Sequence, residues 1–393
     1  MISSERIVKT LAQKLSYAIR EYRLPRINLK RSLLVVLAVI FMIGLAYVPR
    51  ASAAVQGQII LDIGTQSWES VMVFRPSVIH TGSQYMMWYT GESEDGTDSI
   101  GLATSSDGIT WTRYANNPVL TVGGLLDWDY NSVEEAWVIF DEGQYKMWYG
   151  GQVYNPDGSC CSSWAIGYAS SPDGIQWTKY SGNPILTPGE SGSFDDRYLF
   201  RPVVFKIGST YTMYYRGQPQ VGRRDNGIAT STDGVHWTKT GKLSIQPAPW
   251  NNFSYAVGGV TKIGDLYVMG YNGNPLPTEP RFETGVATST DGVNWTPYAG
   301  NPVVTYGSSG WDSGGGVTDP VVLAVGSEYF VYFTGHEVAG QNPPMRIGLA
   351  RLPASEYPIP EYPSGQVSTM IYLGIASTCL TMIWLRRRRS KRT

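Results

Sequence analysis

Short stretches in which apolar and polar residues alternate recur along the chain. Each opens on a tyrosine and ends on a glycine: Tyr85–Gly91, Tyr145–Gly151, Tyr211–Gly217, Tyr267–Gly273 and Tyr329–Gly335. A period of two is that of a β-strand with one side turned inward. A Gly-x-Ala run follows each stretch (Gly101, Gly167, Gly227, Gly285 and Gly348 begin them), and a Pro/Val-rich segment precedes it. After four of the five comes Asp-Gly-x-x-Trp, at 107–111, 173–177, 233–237 and 291–295, with successive Asp-Gly pairs 66, 60 and 58 residues apart. Asp-Gly supplies the positive φ that a tight hairpin requires. Each repeat therefore reads as four short strands, and such units arranged radially make a β-propeller. The expected fold is all-β with five four-stranded blades over residues 54–352. The fifth repeat stops after Ala350 without its Asp-Gly-x-x-Trp strand. Gln58–Asp62 is expected to supply that strand, closing the ring and removing an exposed edge.

Two apolar runs break the period of two. Leu33–Val48 follows Lys30 and Arg31 and precedes Ala51-Ser52-Ala53, the layout of a secretory signal over residues 1–53. An uncleaved signal anchor has the same layout. Val367–Leu385 gives 19 mostly apolar residues followed by Arg386–Arg389, Lys391 and Arg392. That length suits a transmembrane helix, and the basic tail (386–393) places the C-terminus in the cytoplasm. A Pro-rich stalk, 353–366, would then hold the body outside the cell. Pro358-Ile359-Pro360-Glu361-Tyr362-Pro363, an apolar span and arginines resemble the three-part sorting signals of some prokaryotic surface proteins, which exosortase- or archaeosortase-like enzymes process. A plain membrane anchor looks alike, and both readings imply a cell-surface protein.

Charge sharpens this division. The chain has 31 Lys+Arg and 32 Asp+Glu, but residues 1–53 hold nine basic and two acidic ones, and 367–393 hold six basic and none acidic. Subtraction leaves 16 basic and 30 acidic residues in the body, a net of −14. So acidic a body repels a polyphosphate, and no nucleic-acid partner is expected. Three cysteines outside any ligand spacing exclude a zinc finger or a disulfide scaffold. No metal or cofactor is expected from the sequence.

The repeat resembles the five-bladed propeller superfamily that holds glycoside hydrolase families 43, 32, 62, 68 and 130. The resemblance covers nearly all of 60–352 and implies a carbohydrate ligand in a central funnel. Loop lengths choose the face. The connections at Thr81–Ser83, Glu142-Gly143, Gly208-Ser209, Gly264-Asp265 and Gly326-Ser327 are tight, as are the Asp-Gly turns on the same side. The long connections (92–99, 152–164, 218–226, 274–284, 336–345) lie on the other side, where a rigid scaffold presents binding residues. Ten residues before each strand-opening tyrosine stand Arg75, Glu135, Arg201, Val257 and Asp319, expected at the funnel mouth. A second polar series follows the strand-ending glycine: Glu92, Gln152, Gln218, Asn274 and His336, candidate substrate contacts together with Arg75 and Arg201.

Glycoside hydrolysis needs two carboxyls, one protonated and one ionised. Glu135 and Asp319 are the candidate pair. An arginine beside a carboxylate favours the base, so Asp319 reads as base and Glu135 as acid, with the reverse assignment open. Glu134 is expected to point the other way, and Asp195, Asp196 and Glu92 are reserves. Families 43 and 32 carry acids on blades one to three, whereas blades one and three here carry Arg75 and Arg201, so only Glu135 matches in place. Those arginines suit a carboxylate or a phosphate on a ligand, or else they merely neutralise Glu135 and Asp319. The series Trp68, Trp128, Phe194, Trp250 and Trp311 is expected to pack between blades, and the acids behind it (Glu69, Asp129, Asp195, Asp312) to cap turns. His80, His236 and the Asp-Gly aspartates fall on the tight-turn face, away from chemistry. Cys160-Cys161 and the sequons at Asn252 and Asn294 carry no catalytic reading. Two functions remain: a membrane-tethered glycosidase acting on extracellular glycans, or a non-catalytic carbohydrate-binding or adhesion propeller. A purely structural surface-layer component is a third.

Overall fold

A computed structural model describes residues 54–153, 163–278, 281–337 and 344–357. The signal segment, Cys160-Cys161, the 367–385 span and the basic tail lie outside these residues. Among the described residues no helix is long and apolar enough to cross a membrane. The fold is all-β, with one 3-10 turn at Ser67–Glu69, and is consistent with a β-propeller.

After β1 (Gln58–Leu61) the strands run in fours. Unit one is β2 (Met72–His80), β3 (Tyr85–Glu92), β4 (Asp98–Ser105) and β5 (Thr112–Arg113); unit two is β6 (Ser132–Asp141), β7 (Gln144–Val153), β8 (Ser163–Ser171) and β9 (Thr178–Lys179). Unit three is β10 (Tyr198–Ile207), β11 (Thr210–Gln218), β12 (Asp225–Ser231) and β13 (Thr238–Lys242). Unit four is β14 (Ser254–Ile263), β15 (Leu266–Asn274), β16 (Glu283–Ser289) and β17 (Thr296–Pro297). The last run is β18 (Gly316–Val325), β19 (Glu328–His336) and β20 (Met345–Pro353), with β1 paired antiparallel to β20 as its fourth strand. Units one and two share one sheet through a single parallel pairing of Asp98 with Ser132, and the others are separate four-stranded sheets. The first strands β2, β6, β10, β14 and β18 pack against one another in that order, and β18 returns to β2.

Side chains tie neighbouring units together at the Asp-Gly hairpins. Gly108, Gly174, Gly234 and Gly292 have φ of 70–81°, and each preceding aspartate accepts the two backbone N–H groups that follow the glycine. The glycine carbonyl then accepts a hydrogen bond from the second strand of the preceding unit. Trp88 Nε1 donates to Gly174, Trp148 Nε1 to Gly234 and the Tyr214 hydroxyl to Gly292. The Tyr332 hydroxyl donates to Gly108 at 2.9 Å, which carries the same contact from the last unit back to the first.

The aromatic series packs as expected in kind but not in place. Trp68, Trp128, Phe194, Trp250 and Trp311 lie over the strand-ending glycines of their own units, where a Cβ would collide with the ring or, at Gly273, with Asn251 beside it. The acids behind them mostly do not cap turns. Glu69, Asp129 and Asp195 each accept the hydroxyl of a second-strand tyrosine (Tyr89, Tyr149, Tyr215) and pair with a base on the fourth strand (Arg113, Lys179, Lys239). Asp312 alone follows the expectation, accepting Gly307 N–H at 3.0 Å. Buried acids consumed this way have no capacity left for chemistry, which removes Asp195 from the reserves.

Trp137 closes the central channel. Its Nε1 donates to Val204 O at 2.7 Å, and its ring fills the space beside Gly259, where a Cβ would stand 2.8 Å away. Above Trp137 lie Arg75, Glu135, Arg201, Val257 and Asp319. Below it opens a mouth of about 870 Å³ that includes Ile79, Phe140, Phe205, Ile263 and Leu323. On the long-loop side of Trp137 the charged residues form a floor that encloses about 20 Å³.

Candidate functional site

The floor is built by one irregularity repeated in every unit. On each first strand the pairing slips, between Phe74 and Ser77, Glu134 and Trp137, Phe200 and Val203, Val257 and Gly259, and Thr318 and Val321. Such a bulge bends the strand and re-aims a side chain. The residues at the slip are Arg75, Glu135, Arg201 and Asp319, with φ of 54°, 58°, 57° and 55°. Non-glycine residues in this region cost of order 1–3 kcal/mol each and persist only where the surroundings impose them. Here the backbone N–H is held from the neighbouring unit: Arg75 N donates to Thr334 Oγ1 and Glu135 N to Thr90 Oγ1, both at 2.9 Å, and Asp319 N to Asn272 Oδ1 at 3.3 Å. Thr90, Asn272 and Thr334 each stand one place before the strand-ending glycine. The equivalent residue in unit two is Gly150, which has no side chain to offer. Arg201 N–H therefore donates to Glu135 Oε2, so the glutamate replaces the absent hydroxyl.

Charge pairs cross the floor. Arg75 Nη1 contacts Glu135 Oε1, Arg75 Nε lies 3.7 Å from Asp319 Oδ2, and Arg201 Nη1 lies 3.3 Å from Asp319 Oδ1. Both carboxyls are buried, at 4% and 7% exposure. Burial raises the Glu135 carboxyl above its usual range, although Arg75 and Arg201 oppose it. Burial acts likewise on Asp319, but Arg201 and Arg75, with the Thr318 hydroxyl, overcome it and hold Asp319 down at about 2. The Thr318 hydroxyl also meets His336 Nε2 at 2.9 Å, and burial lowers His336 to about 4, so its imidazole is neutral. The cavity between the four charges is about 20 Å³, room for roughly one water.

The second polar series forms a rim above this floor. Glu92, Gln152, Gln218, Asn274 and His336 each pair with the residue three places before the floor position: Met72, Ser132, Tyr198, Ser254 and Gly316. Three residues of strand place the rim roughly 10 Å above the floor. Gln152 Nε2 donates to Glu134 Oε1 at 3.4 Å, Gln218 Oε1 accepts from Arg224 Nε at 2.8 Å, and Asn274 Nδ2 donates to Leu276 O at 3.3 Å.

Glu134 turns away from the arginine pairs, as the alternation expects, into a cluster that the sequence did not reveal. Ser132 Oγ donates to Asp98 Oδ2 at 2.7 Å and lies 3.3 Å from Glu134 Oε1. Burial raises Asp98 to about 8, with Glu92 and Glu135 adding to it, and raises Glu134 well above its usual range. Burial raises Glu92 as well. Units one and two thus hold three carboxyls that burial pushes upward. The sequence signal for this was Asp98 in the run before Gly101, obscured because Asp98 sits in a loop-like Asp-Gly-Thr-Asp stretch. Asp196 is half-buried and accepts two loop N–H groups, from Gly192 and Gln220, both at 2.7 Å, so it serves the loop. His80 stacks on Tyr85 at 4.4 Å, and His236 Nδ1 meets Asp233 Oδ2 at 2.7 Å, both on the tight-turn face. Among the described residues no group of histidine, cysteine and carboxylate side chains is arranged to hold a metal ion.

Comparison with known proteins adds ancestry to this geometry. The profile of the glycosyl hydrolases family 32 N-terminal domain matches residues 202–344. An uncharacterized protein of Mycobacterium tuberculosis is 31% identical over 183 residues, which are 45% of this chain and 58% of that relative's length. A type blood N-acetyl-alpha-D-galactosamine deacetylase of Flavonifractor plautii is 29% identical over 133 residues, 30% of this chain and 15% of the enzyme. Among solved structures, an N-acetylgalactosamine deacetylase from F. plautii in complex with blood group B trisaccharide superposes with a TM-score of 0.59 at 15% identity, covering 79% of this chain and 100% of that one. A thermostable family-43 glycoside hydrolase gives 0.54 at 18% identity, covering 71% and 89%. The beta-1,2-mannobiose phosphorylase from Listeria innocua gives 0.55 at 14% identity, covering 73% and 91%. The profile match and the shared architecture place the chain, at the level of fold, in the propeller superfamily that holds glycoside hydrolase families 32 and 43.

Proposed function

We propose that this chain is a five-bladed, glycoside hydrolase-like propeller that takes a glycan into the long-loop funnel, with Glu135 as acid and Asp319 as base. The observation that carries the reading is the floor itself. Two buried carboxyls occupy equivalent strained positions, and their surroundings push them apart, Glu135 upward and Asp319 to about 2. Opposed shifts of this kind are how one site provides an acid and a base at the same pH. In hydrolysis the Arg75–Glu135 pair would part, and Glu135, taking up a proton once freed, would give it to the glycosidic oxygen as the bond to the anomeric carbon breaks. Asp319 would take the proton of the water that attacks that carbon. The fold alone does not select this chemistry, since the structural neighbours include a deacetylase and a phosphorylase. The expected position is the cell surface, with the body outside and the C-terminal span as membrane anchor.

One observation favours a binding module instead. Each floor carboxylate is occupied by arginine, and the space between them suits roughly one water. A sugar must therefore stand above the floor unless the ion pairs part. Release of sugar from aryl glycosides and polysaccharides, measured for wild type, Glu135→Gln and Asp319→Asn, separates the two. Turnover abolished by both substitutions establishes the acid–base pair. Turnover that survives both refutes the residue assignment. A glycan that is retained but never cleaved makes the propeller a binding module.

A further inference from the structure

The charge around the funnel goes further than the glycan reading on which it rests, because it names the kind of glycan. We infer that the unit-three wall binds an oxyanion, the carboxylate of an acidic sugar, on Arg224 with Arg201 and Arg216 behind it. Four arginines serve this funnel. Arg75 and Arg201 are matched by Glu135 and Asp319. Arg216 and Arg224 have no carboxylate partner among the described residues. Arg216 is 7% exposed and donates only to neutral groups, the Tyr255 carbonyl and Ser254 Oγ. The carboxylate of Asp225, nearby in sequence, is taken by Lys242 at 3.0 Å.

A buried cation without a counter-ion is expensive, and an incoming anion would relieve that cost. Arg201 Nε is buried with no hydrogen-bond partner, so a second donor on this wall is also unfilled. Arg224 is exposed and fixed in aim. Its Nε donates to Gln218 Oε1 at 2.8 Å, and its guanidinium lies 5.0 Å over the Phe200 ring. Phe200 in turn stacks on Trp164, with centroids 5.0 Å apart at 24°. The two terminal nitrogens of Arg224 carry no hydrogen bond to the described residues, and a planar guanidinium edge matches a carboxylate with two parallel bonds. Glu92, Asp98 and Glu134 stand on units one and two, where no unmatched cation among the described residues offers an anion a second seat. The ligand is therefore oriented, its charge on unit three and its neutral ring over the floor. The sequence offered Arg75 and Arg201 either for an anion or as neutralisers of Glu135 and Asp319; the ion pairs follow the second reading, and Arg224 was not among the candidates.

The test is calorimetric titration of the full-length chain, wild type and Arg224→Gln, with glucuronate, galacturonate, their methyl esters and inorganic phosphate. Thermal unfolding checks that Arg224→Gln leaves the fold intact, as expected for an exposed side chain. The expected result is at least tenfold tighter binding of a uronate than of its methyl ester, with that preference lost in Arg224→Gln. Phosphate that binds through Arg224 while uronates do not would keep the oxyanion site and overturn the acidic sugar as its occupant. Equal binding of acid and ester overturns the anion inference and leaves the glycan reading standing. If no anion binds in an Arg224-dependent way, the site is refuted.

Discussion

Replacing Glu135 by glutamine changes one buried charge and almost no volume. In the wild type, Oε2 accepts Arg201 N–H and Oε1 meets Arg75 Nη1. Glutamine can serve only one of these. If its oxygen accepts Arg201 N–H, its amide nitrogen faces the guanidinium, donor against donor. Arg75 then keeps only Asp319, with Nε at 3.7 Å. Removing one partner of a buried pair costs about 3–5 kcal/mol because the other charge is stranded. For a domain of this size each kcal/mol lowers Tm by roughly 2–4 °C, so a fall of roughly 10 °C is expected in thermal unfolding. Arg75→Gln added to Glu135→Gln removes the stranded charge and should recover part of that loss, giving a coupling of at least about 1 kcal/mol in the double-mutant cycle. A Glu135→Gln variant as stable as wild type, or a cycle that is simply additive, would refute the view that the floor is a locked charge network.

Three further outcomes follow from the packing. The folded Asp98 titrates at about 8 against an ordinary 3.8, so between those values the folded state holds a proton that the unfolded state has released. Stability therefore falls as pH rises through that window, and Asp98→Asn should gain on wild type across it, a gain absent from urea titrations at pH 3. Tyr332→Phe leaves the Gly108 carbonyl without its 2.9 Å donor and should cost about 1–3 kcal/mol; no loss on thermal unfolding would mean the last and first units are not joined there. Gly259→Ala places a Cβ 2.8 Å from the Trp137 ring and should destabilise by about 1–3 kcal/mol. Trp137→Phe in the same chain should restore much of that loss if the collision is its cause.

The strand order, the hairpins and the β1 pairing were legible because they follow from local signals: alternation, Asp-Gly turns and one truncated repeat. The floor residues were also legible, since counting from a repeated tyrosine reaches Arg75, Glu135, Arg201 and Asp319 wherever the bulge falls. Their left-handed backbone was not, because nothing in Arg-Pro or Glu-Ala announces positive φ. It is imposed by Thr90, Asn272 and Thr334 from neighbouring units and, at Arg201, by Glu135. The tethering of Glu69, Asp129 and Asp195 by a tyrosine and a fourth-strand base was hidden for the same reason, since those partners lie 20–50 residues away. Asp98 and Arg224 escaped notice because each sits at the end of a long connection with no repeated neighbour. Only the pairing of strands brings them to the long-loop side of their units.

The central claim is that the funnel holds a sugar, and a crystal structure of the protein with a retained glycan tests it most directly. The account expects a sugar ring between the rim of Glu92, Gln152, Gln218, Asn274 and His336 and the floor of Arg75, Glu135, Arg201 and Asp319. A glycan seated instead in the apolar mouth beneath Trp137, among Ile79, Phe140 and Ile263, or on the outer strands, would contradict it.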